Sequence, residues 1–413
     1  LMNDDSDGNP TVIRNYNKFA SGINQFFPTM LKTKIGTSKT ATSIYDYFTD
    51  EYKEKFSKIM IRSLKRDSLY SFSKCISKSE AVNGRDWILN NKNENFFIVQ
   101  QKKESDIQHL ILSVEDIKTL SLDENKHLSN IKELDDEKYT YYIRRFELNQ
   151  KIFPSALQVF RLSLGQPAVN FPPLTARWIY ENYTNHISKD EQLNIYDPSS
   201  GWGGRILGAM SSHRKIHYIG TDPNTDNFID KLGITRYEYV ADFFNNRCLE
   251  TNSFWEEDKN TYHIFQEGSE HIGNHKDFQQ YKGKLDLVFT SPPYFDREQY
   301  STDDEQSFKA YPQYEDWRNN FLRPTLENAF NSLREDRYLL WNIADIKIGK
   351  DKFYPLEQDS IDIVKSLGGK YEYTLKMLMT SMVGVDQSSV KNSVKVDGKY
   401  YKYEPIFVFY KGQ

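Results

Sequence analysis

From about residue 155 onward the chain alternates strand-like runs with helix-like ones, and this alternation constrains the fold more than any other feature. "TARWIYENYT" (Thr175 to Thr184) has apolar residues at helical spacing, and "LNIYDP" reads as a strand ending at Asp197. "RILGAMSS" reads as a helix, "HYIGTDP", "YHIFQEGS" and "LDLVFTSPP" as strands, "RPTLENAFNSL" as a helix and "RYLLWNIADIK" as a strand. "SIDIVKSLGG" is a helix closed by glycines, and "YEYTLKMLMTS" and "EPIFVFYKGQ" are the last two strands. Strands separated by helices need crossover connections, which make a parallel sheet covered on both faces. The expected fold class is α/β: a doubly wound, mostly parallel, seven-stranded sheet. In such sheets ligands bind outside the carboxyl ends of the strands, so the strand-end residues are the ones to inspect.

Residues 1–150 have a different character, rich in Lys, Ser and Asn, and are expected to form a largely helical accessory domain ahead of a sheet domain over 151–413. In the stretch from Ser43 to Arg66, Ile44, Phe48, Tyr52, Phe56, Ile59 and Leu64 recur at roughly helical spacing. Lys53, Lys55, Lys58, Arg62, Lys65 and Arg66 give it a basic face, read first as solvated surface and second as a phosphate contact. With 38% hydrophobic and 27% charged residues, the 413-residue chain is polar for a globular protein but not disordered in composition. No apolar run approaches the roughly 18 residues of a membrane span, and the acidic start "LMNDDSDGNP" does not read as a secretory signal. Cys75 and Cys248 lie far apart with no metal-ligand spacing, so no metal site is expected and the expected setting is reducing and cytoplasmic. A net charge of −4 excludes a protein coated in basic charge but not a local basic patch.

Three strand ends point toward a nucleoside-like ligand. In "YDPSSGWGGR", Gly201, Gly203 and Gly204 allow a tight turn, although the spacing is not that of a dinucleotide fingerprint. Asp197 and Pro198 precede them, and a carboxylate there suits a ligand ammonium group better than a pyrophosphate. Asp222, at the end of the next strand, is placed to accept ribose hydroxyls, with a turn or cap aspartate as the plainer reading. Glu267 and Ser269 end the third strand where an adenine amino group could be read. Upstream, "NFPPLTA" offers Phe171 either as an aromatic face over that adenine or as a buried ring at the start of a helix. The fourth strand ends in "TSPPYFD", where two prolines stop the strand and stiffen the chain beyond it. A proline-rich partner ligand is the alternative, but such ligands lie in disordered stretches and this pair caps a buried strand.

Together these pieces resemble the S-adenosylmethionine-dependent amino-methyltransferases of DNA. "DPSSGWGG" is similar to the family's cofactor loop, "NFPPLTA" to its upstream aromatic-Pro element and "TSPPY" to its catalytic motif. "YDPSSGWGGRILGA", "YIGTDPN" and "YLLWNIADIK" look more narrowly like the DNA methylases of phage and mobile elements. The resemblance covers about Phe171 to Lys411 and implies a Rossmann-like methyltransferase sheet. It implies S-adenosyl-L-methionine as cofactor, held by Phe171, Thr175, Asp197, Pro198, Gly201, Gly203, Asp222, Glu267 and Ser269.

By the same resemblance Ser291, Pro292, Pro293 and Tyr294 are catalytic. The Ser291 side chain and the Pro292 carbonyl would hold the amino group of a flipped base, and Tyr294 would stack on it. The expected partner is double-stranded DNA, with room for a restriction or defence partner. N4 of cytosine is favoured as target, with N6 of adenine, an RNA base, a protein glutamine and a non-catalytic binding module as alternatives. No Pro-Cys pair ends a strand, which speaks against carbon-5 cytosine methylation. Target recognition is expected in the N-terminal 150 residues, assisted by the loops after Tyr294 and around Met379 to Tyr401.

Overall fold

The computed structural model describes residues 2–3, 11–14, 23–35, 43, 45–52, 72–76, 95–102, 139–146, 170–250, 259–295, 298–299, 307–348, 353–381 and 391–412. They belong to two compact units, one of Leu1–Tyr45 with Gln166–Gln413 and one of Asp46–Gly165. Among the described residues of the second unit, Phe72–Ile76, Tyr139–Phe146 and Asn95–Lys102 form a three-stranded antiparallel sheet. Most of the helix expected over 43–66 lies outside the described residues.

The first unit is built on one sheet. Its strands are β1 (Val12–Arg14), β2 (Leu193–Asp197), β3 (Ile216–Thr221), β4 (Thr261–Phe265), β5 (Leu285–Thr290), β6 (Leu333–Asn342), β7 (Lys370–Ser381), β8 (Ser393–Val396) and β9 (Lys399–Lys411). They run in the order β1-β7-β9-β6-β5-β2-β3-β4; β8 pairs with β9, and Met2–Asn3 adds to β1 to make ten strands. β2 to β6 are mutually parallel, and β9 lies antiparallel between β6 and β7. The expected seven strands are therefore present, widened at one edge by a strand from the N-terminus, where Val12 pairs with Lys376. Every residue of β5 (LDLVFT) is buried, as a central parallel strand covered on both faces must be.

Helices α1 (Pro173–Tyr183), α2 (Gly204–Met210) and α3 (Arg236–Glu250) cover one face, packing Ile179, Ile206 and Val240 against Leu287 and Phe289. On the other face α4 (Arg323–Ser332) and α5 (Leu356–Ser366) set Leu326 and Ile363 against Val288, Leu339 and Trp341. α1 starts where its prolines permit, since Pro at the first helical position lacks only an N–H that would go unpaired anyway. α3 is absent from the sequence expectation. Its buried stripe of Tyr237, Val240 and Ala241 is blurred by Tyr239 and Phe243, which are exposed. No helix among the described residues is long and apolar enough to cross a membrane.

The boundary expected at residue 150 is corrected. Residues up to Tyr45 join the sheet unit, through β1 and through the short turns Asn24–Phe26 and Pro28–Leu31. Phe27 is fully buried there, with ring centroids 5.1 Å from Tyr237 and 6.4 Å from Trp202. No periodic signal marks a segment this short, because 3₁₀ turns bury single residues and not a stripe. Phe27→Ala is expected to cost about 3–5 kcal/mol in urea unfolding. A loss well below 1 kcal/mol would show that this segment is no part of the core.

Candidate active site

Asp197 ends β2 with no exposed surface, and both of its oxygens are taken up by the protein. Oδ2 accepts from Arg205 Nε at 2.7 Å and from the Tyr218 hydroxyl at 2.6 Å. Oδ1 accepts from Thr290 Oγ1 at 2.6 Å and from the Ser199 N–H at 3.3 Å. A carboxylate has about four acceptor sites, so this one has none left for a ligand. The expected contact between Asp197 and a ligand ammonium group is thereby corrected: the residue ties β2 to β3, to β5 and to α2. Burial is the largest influence on Arg205 and would lower its pKa, but the charge and hydrogen bond of Asp197 together with Tyr218 and Tyr180 outweigh it and hold the guanidinium above its ordinary value. The Arg205 fork also donates to the Ser199 carbonyl and lies 5.8 Å from the centre of the Phe171 ring.

The glycines are required sterically. Gly201 and Gly203 have φ of +62° and +79°, where a side chain is strained, and a Cβ on Gly203 would overlap the Phe27 ring. Gly204 lies so close to the Phe171 carbonyl that no Cβ fits. Asn170, which the sequence reading missed, caps this turn: its Oδ1 accepts from the Gly204 N–H at 3.2 Å and its Nδ2 donates to the Trp202 carbonyl at 2.8 Å. The Pro198 carbonyl is occupied by the Thr221 hydroxyl.

The remaining cofactor candidates divide. Asp222 stands half-buried at the end of β3; Oδ2 accepts from Asn227 and from the Tyr237 hydroxyl, each at 2.6 Å, and Oδ1 from the Asn224 N–H at 3.1 Å. Glu267 is half-buried, 3.9 Å from His275 Nε2. Ser269 is buried against α4, its hydroxyl 3.0 Å from that of Thr325, and so does not face a ligand as expected. Of the two readings of Phe171 the structure gives the buried ring at a helix start and not the aromatic face over a ligand: it sits in the core, 5.1 Å from the Phe289 ring in an edge-on contact, where Arg205 and β5 enclose it. Among the described residues the buried hydroxyls of Thr175 and Ser200 have no hydrogen-bond partner.

At the end of β5 the stiffened segment is fixed on both sides. Thr290, before it, is held by Asp197. The Tyr294 hydroxyl, after it, donates to Glu404 Oε1 at 2.9 Å and accepts from the Ala344 N–H at 3.1 Å. Phe295 is buried next, with ring centroids 4.9 Å from Tyr354 and 5.4 Å from Tyr314. Between these anchors Pro292 is buried and Ser291 half-buried. Among the described residues neither the Ser291 hydroxyl nor the Pro292 carbonyl has a hydrogen-bond partner.

No family model matches the sequence, and no curated protein matches it. Among solved structures the chain is similar to a candidate DNA modification methylase from Thermus thermophilus, solved with S-adenosyl-L-methionine. Identity is 17% over 35% of this chain and 53% of that one, with a TM-score of 0.24. It is also similar to SAM-dependent methyltransferases from Agrobacterium tumefaciens (11% identity, 60% of this chain and 65% of that one, TM-score 0.33) and Methanosarcina mazei (10%, 57% and 97%, 0.30). The chain spans about half the length of the Thermus protein.

Asp197→Asn removes the counter-charge of a buried guanidinium and is expected to cost about 3–5 kcal/mol, measured by urea unfolding. Thr290→Val, which removes the bond to the Asp197 carboxylate and the acceptor of the Ser199 N–H at 3.1 Å, should cost about 2 kcal/mol. Burial raises the Asp222 pKa above the ordinary carboxylate value, against the opposing donors Tyr237, Asn227 and the Asn224 N–H. The folded state therefore keeps this proton to higher pH than the unfolded chain does. The resulting stability is complete below the ordinary carboxylate pKa and is lost as pH rises through the raised one. Asp222→Asn should remove that part of the decline, seen on comparing unfolding-versus-pH curves of the two proteins.

Proposed function

We propose that this chain is an S-adenosyl-L-methionine-dependent methyltransferase that modifies the exocyclic amino nitrogen of a DNA base, N4 of cytosine being favoured. The observation that carries the reading is a pair of acceptors at Ser291 and Pro292 that no described residue engages, held on two prolines between the anchored residues Thr290 and Tyr294. A cofactor of this kind suits the residues present. The orphaned hydroxyls of Thr175 and Ser200 need partners that a polar ligand would supply, since an unpaired buried hydroxyl costs on the order of 1–3 kcal/mol. Asp222 Oδ1 accepts from a single donor and has capacity for a ribose hydroxyl. When bound, the cofactor supplies an electrophilic methyl group on a sulfonium.

The rest is the work of the chain. An exocyclic amino group conjugated with its ring is a poor nucleophile. The Ser291 hydroxyl oxygen and the Pro292 carbonyl can accept its two N–H bonds in fixed directions, which turns the nitrogen toward tetrahedral geometry and frees its lone pair. As the N–C bond forms at the expense of the S–CH3 bond, the amino nitrogen loses one of the two protons held by these acceptors to solvent water. The prolines keep the carbonyl from reorienting, so the stabilisation is preorganised. Tyr294 presents its ring to the base while Glu404 and Ala344 hold its hydroxyl.

Incubation with methyl-labelled S-adenosyl-L-methionine and duplex DNA, followed by nucleoside digestion, should give N4-methylcytosine. N6-methyladenine would move the target base only; label confined to RNA or protein would overturn the assignment to DNA. Ser291→Ala and Tyr294→Ala should each slow methyl transfer on the order of 10²-fold in single-turnover assays.

A further inference from the structure

The two-residue period of a strand divides the β8–β9 hairpin into two faces. Val394, Val396, Tyr401 and Tyr403 lie on one and pack with Val12 and Leu378. Tyr400, Lys402 and Glu404 alternate along the other, and Lys395 joins them because the register sets it opposite Tyr400. The turn at Asp397 and Gly398 has φ of +49° and +76°, the two-residue geometry that matches strand twist and keeps a hairpin tight. The lysine face is therefore carried on a rigid element.

That element also stands beside the candidate active site. β9 runs antiparallel to β6, so the residues ahead of Pro405 reach past the edge at which β5 and β6 end. Glu404, two residues beyond Lys402 on the same face, accepts the Tyr294 hydroxyl. The acids of the hairpin are engaged, Glu404 in that bond and Asp397 in an ion pair with Arg14 at 2.8 Å. Lys395 and Lys402 are exposed, and no acidic group pairs with either among the described residues. The Lys395 ammonium lies 5.7 Å from the centre of the Tyr400 ring, a contact that orients the charge without cancelling it. On this face two ammonium groups stand against the single carboxylate of Glu404, a net positive charge at the reactive edge of a chain of net charge −4.

We propose that Lys395, Tyr400 and Lys402 form a contact surface for the phosphate backbone of duplex DNA next to Tyr294. The proposal rests on the DNA reading of the neighbouring site. A polyanion suits this face better than an acidic protein, which would need a desolvated apolar anchor where the Tyr400 ring is already covered by Lys395. Two lysines that neutralise two phosphates release counterions, so they set part of the salt dependence of binding.

The test is fluorescence anisotropy of a labelled duplex across a salt series, with the unfolding midpoint of each variant as a check on folding. Lys395→Gln with Lys402→Gln should flatten the slope of log K against log salt by about 1.8, two phosphates at about 0.9 each. Tyr400→Ala, which leaves the Lys395 charge without the ring that orients it, should weaken binding about two- to fivefold. Lys284→Ala, at the opposite edge of the sheet, should leave the slope as in the parent protein. An unchanged slope in the double variant, an equal loss in Lys284→Ala, or lysine-dependent binding of RNA alone would overturn the proposal. The two readings separate cleanly: lysine-dependent DNA binding without methyl transfer sinks the enzyme assignment only, and DNA methylation by a double variant of unaltered slope sinks this surface only. The anisotropy series and the methylation assay are therefore run on the same preparations.

Discussion

The Asp197 carboxylate is the interaction on which the rest of the structure depends. Removing a carboxylate and a guanidinium from water costs several kcal/mol for each ion, and an isolated buried pair often fails to recover that loss. Here the pair is supplemented by the hydroxyls of Tyr218 and Thr290 and by the Ser199 N–H, so both oxygens are satisfied in a region with no access to water. The donors come from β3, from β5, from the glycine turn and, through Arg205, from α2. One side chain thus fixes how the strand that ends in Ser-Pro-Pro-Tyr lies relative to the turn that closes β2.

Preorganisation at the candidate site follows from that arrangement. Thr290 is held from below by Asp197, and Tyr294 is held from the side by Glu404 and Ala344. Phe295 then locks the outgoing chain among Tyr314, Trp317 and Tyr354. Among the described residues nothing engages the two acceptors between these anchors, at a position the prolines do not allow to relax. Rigid backbone with unspent hydrogen-bonding capacity is what electrostatic catalysis requires.

On the other side of Asp197 the glycine turn is shaped by its neighbours. Phe27 occupies the space a Gly203 side chain would need, and Asn170 supplies the cap of α2. Both come from outside the β2–α2 unit, one of them from far upstream in the chain. A segment read by composition as part of an accessory domain is in fact core around the glycine turn.

The sequence by itself determined the strand-and-helix alternation, hence the parallel sheet, and it located the strand ends where Asp197, Asp222 and Ser291 lie. These signals are local: apolar period, paired prolines, clustered glycines. Only the tertiary structure decided the role of each residue at those ends. Asp197 turned from a ligand contact into a saturated buried hub, while Phe171 and Ser269 turned inward. Phe27, Asn170 and Glu404 became neighbours of the site with no motif to announce them. The physical reason is that a side chain's function depends on which of its hydrogen-bonding sites and faces remain open once distant parts of the chain have packed around it. Periodicity and spacing report which face a residue lies on, but not what arrives to meet it.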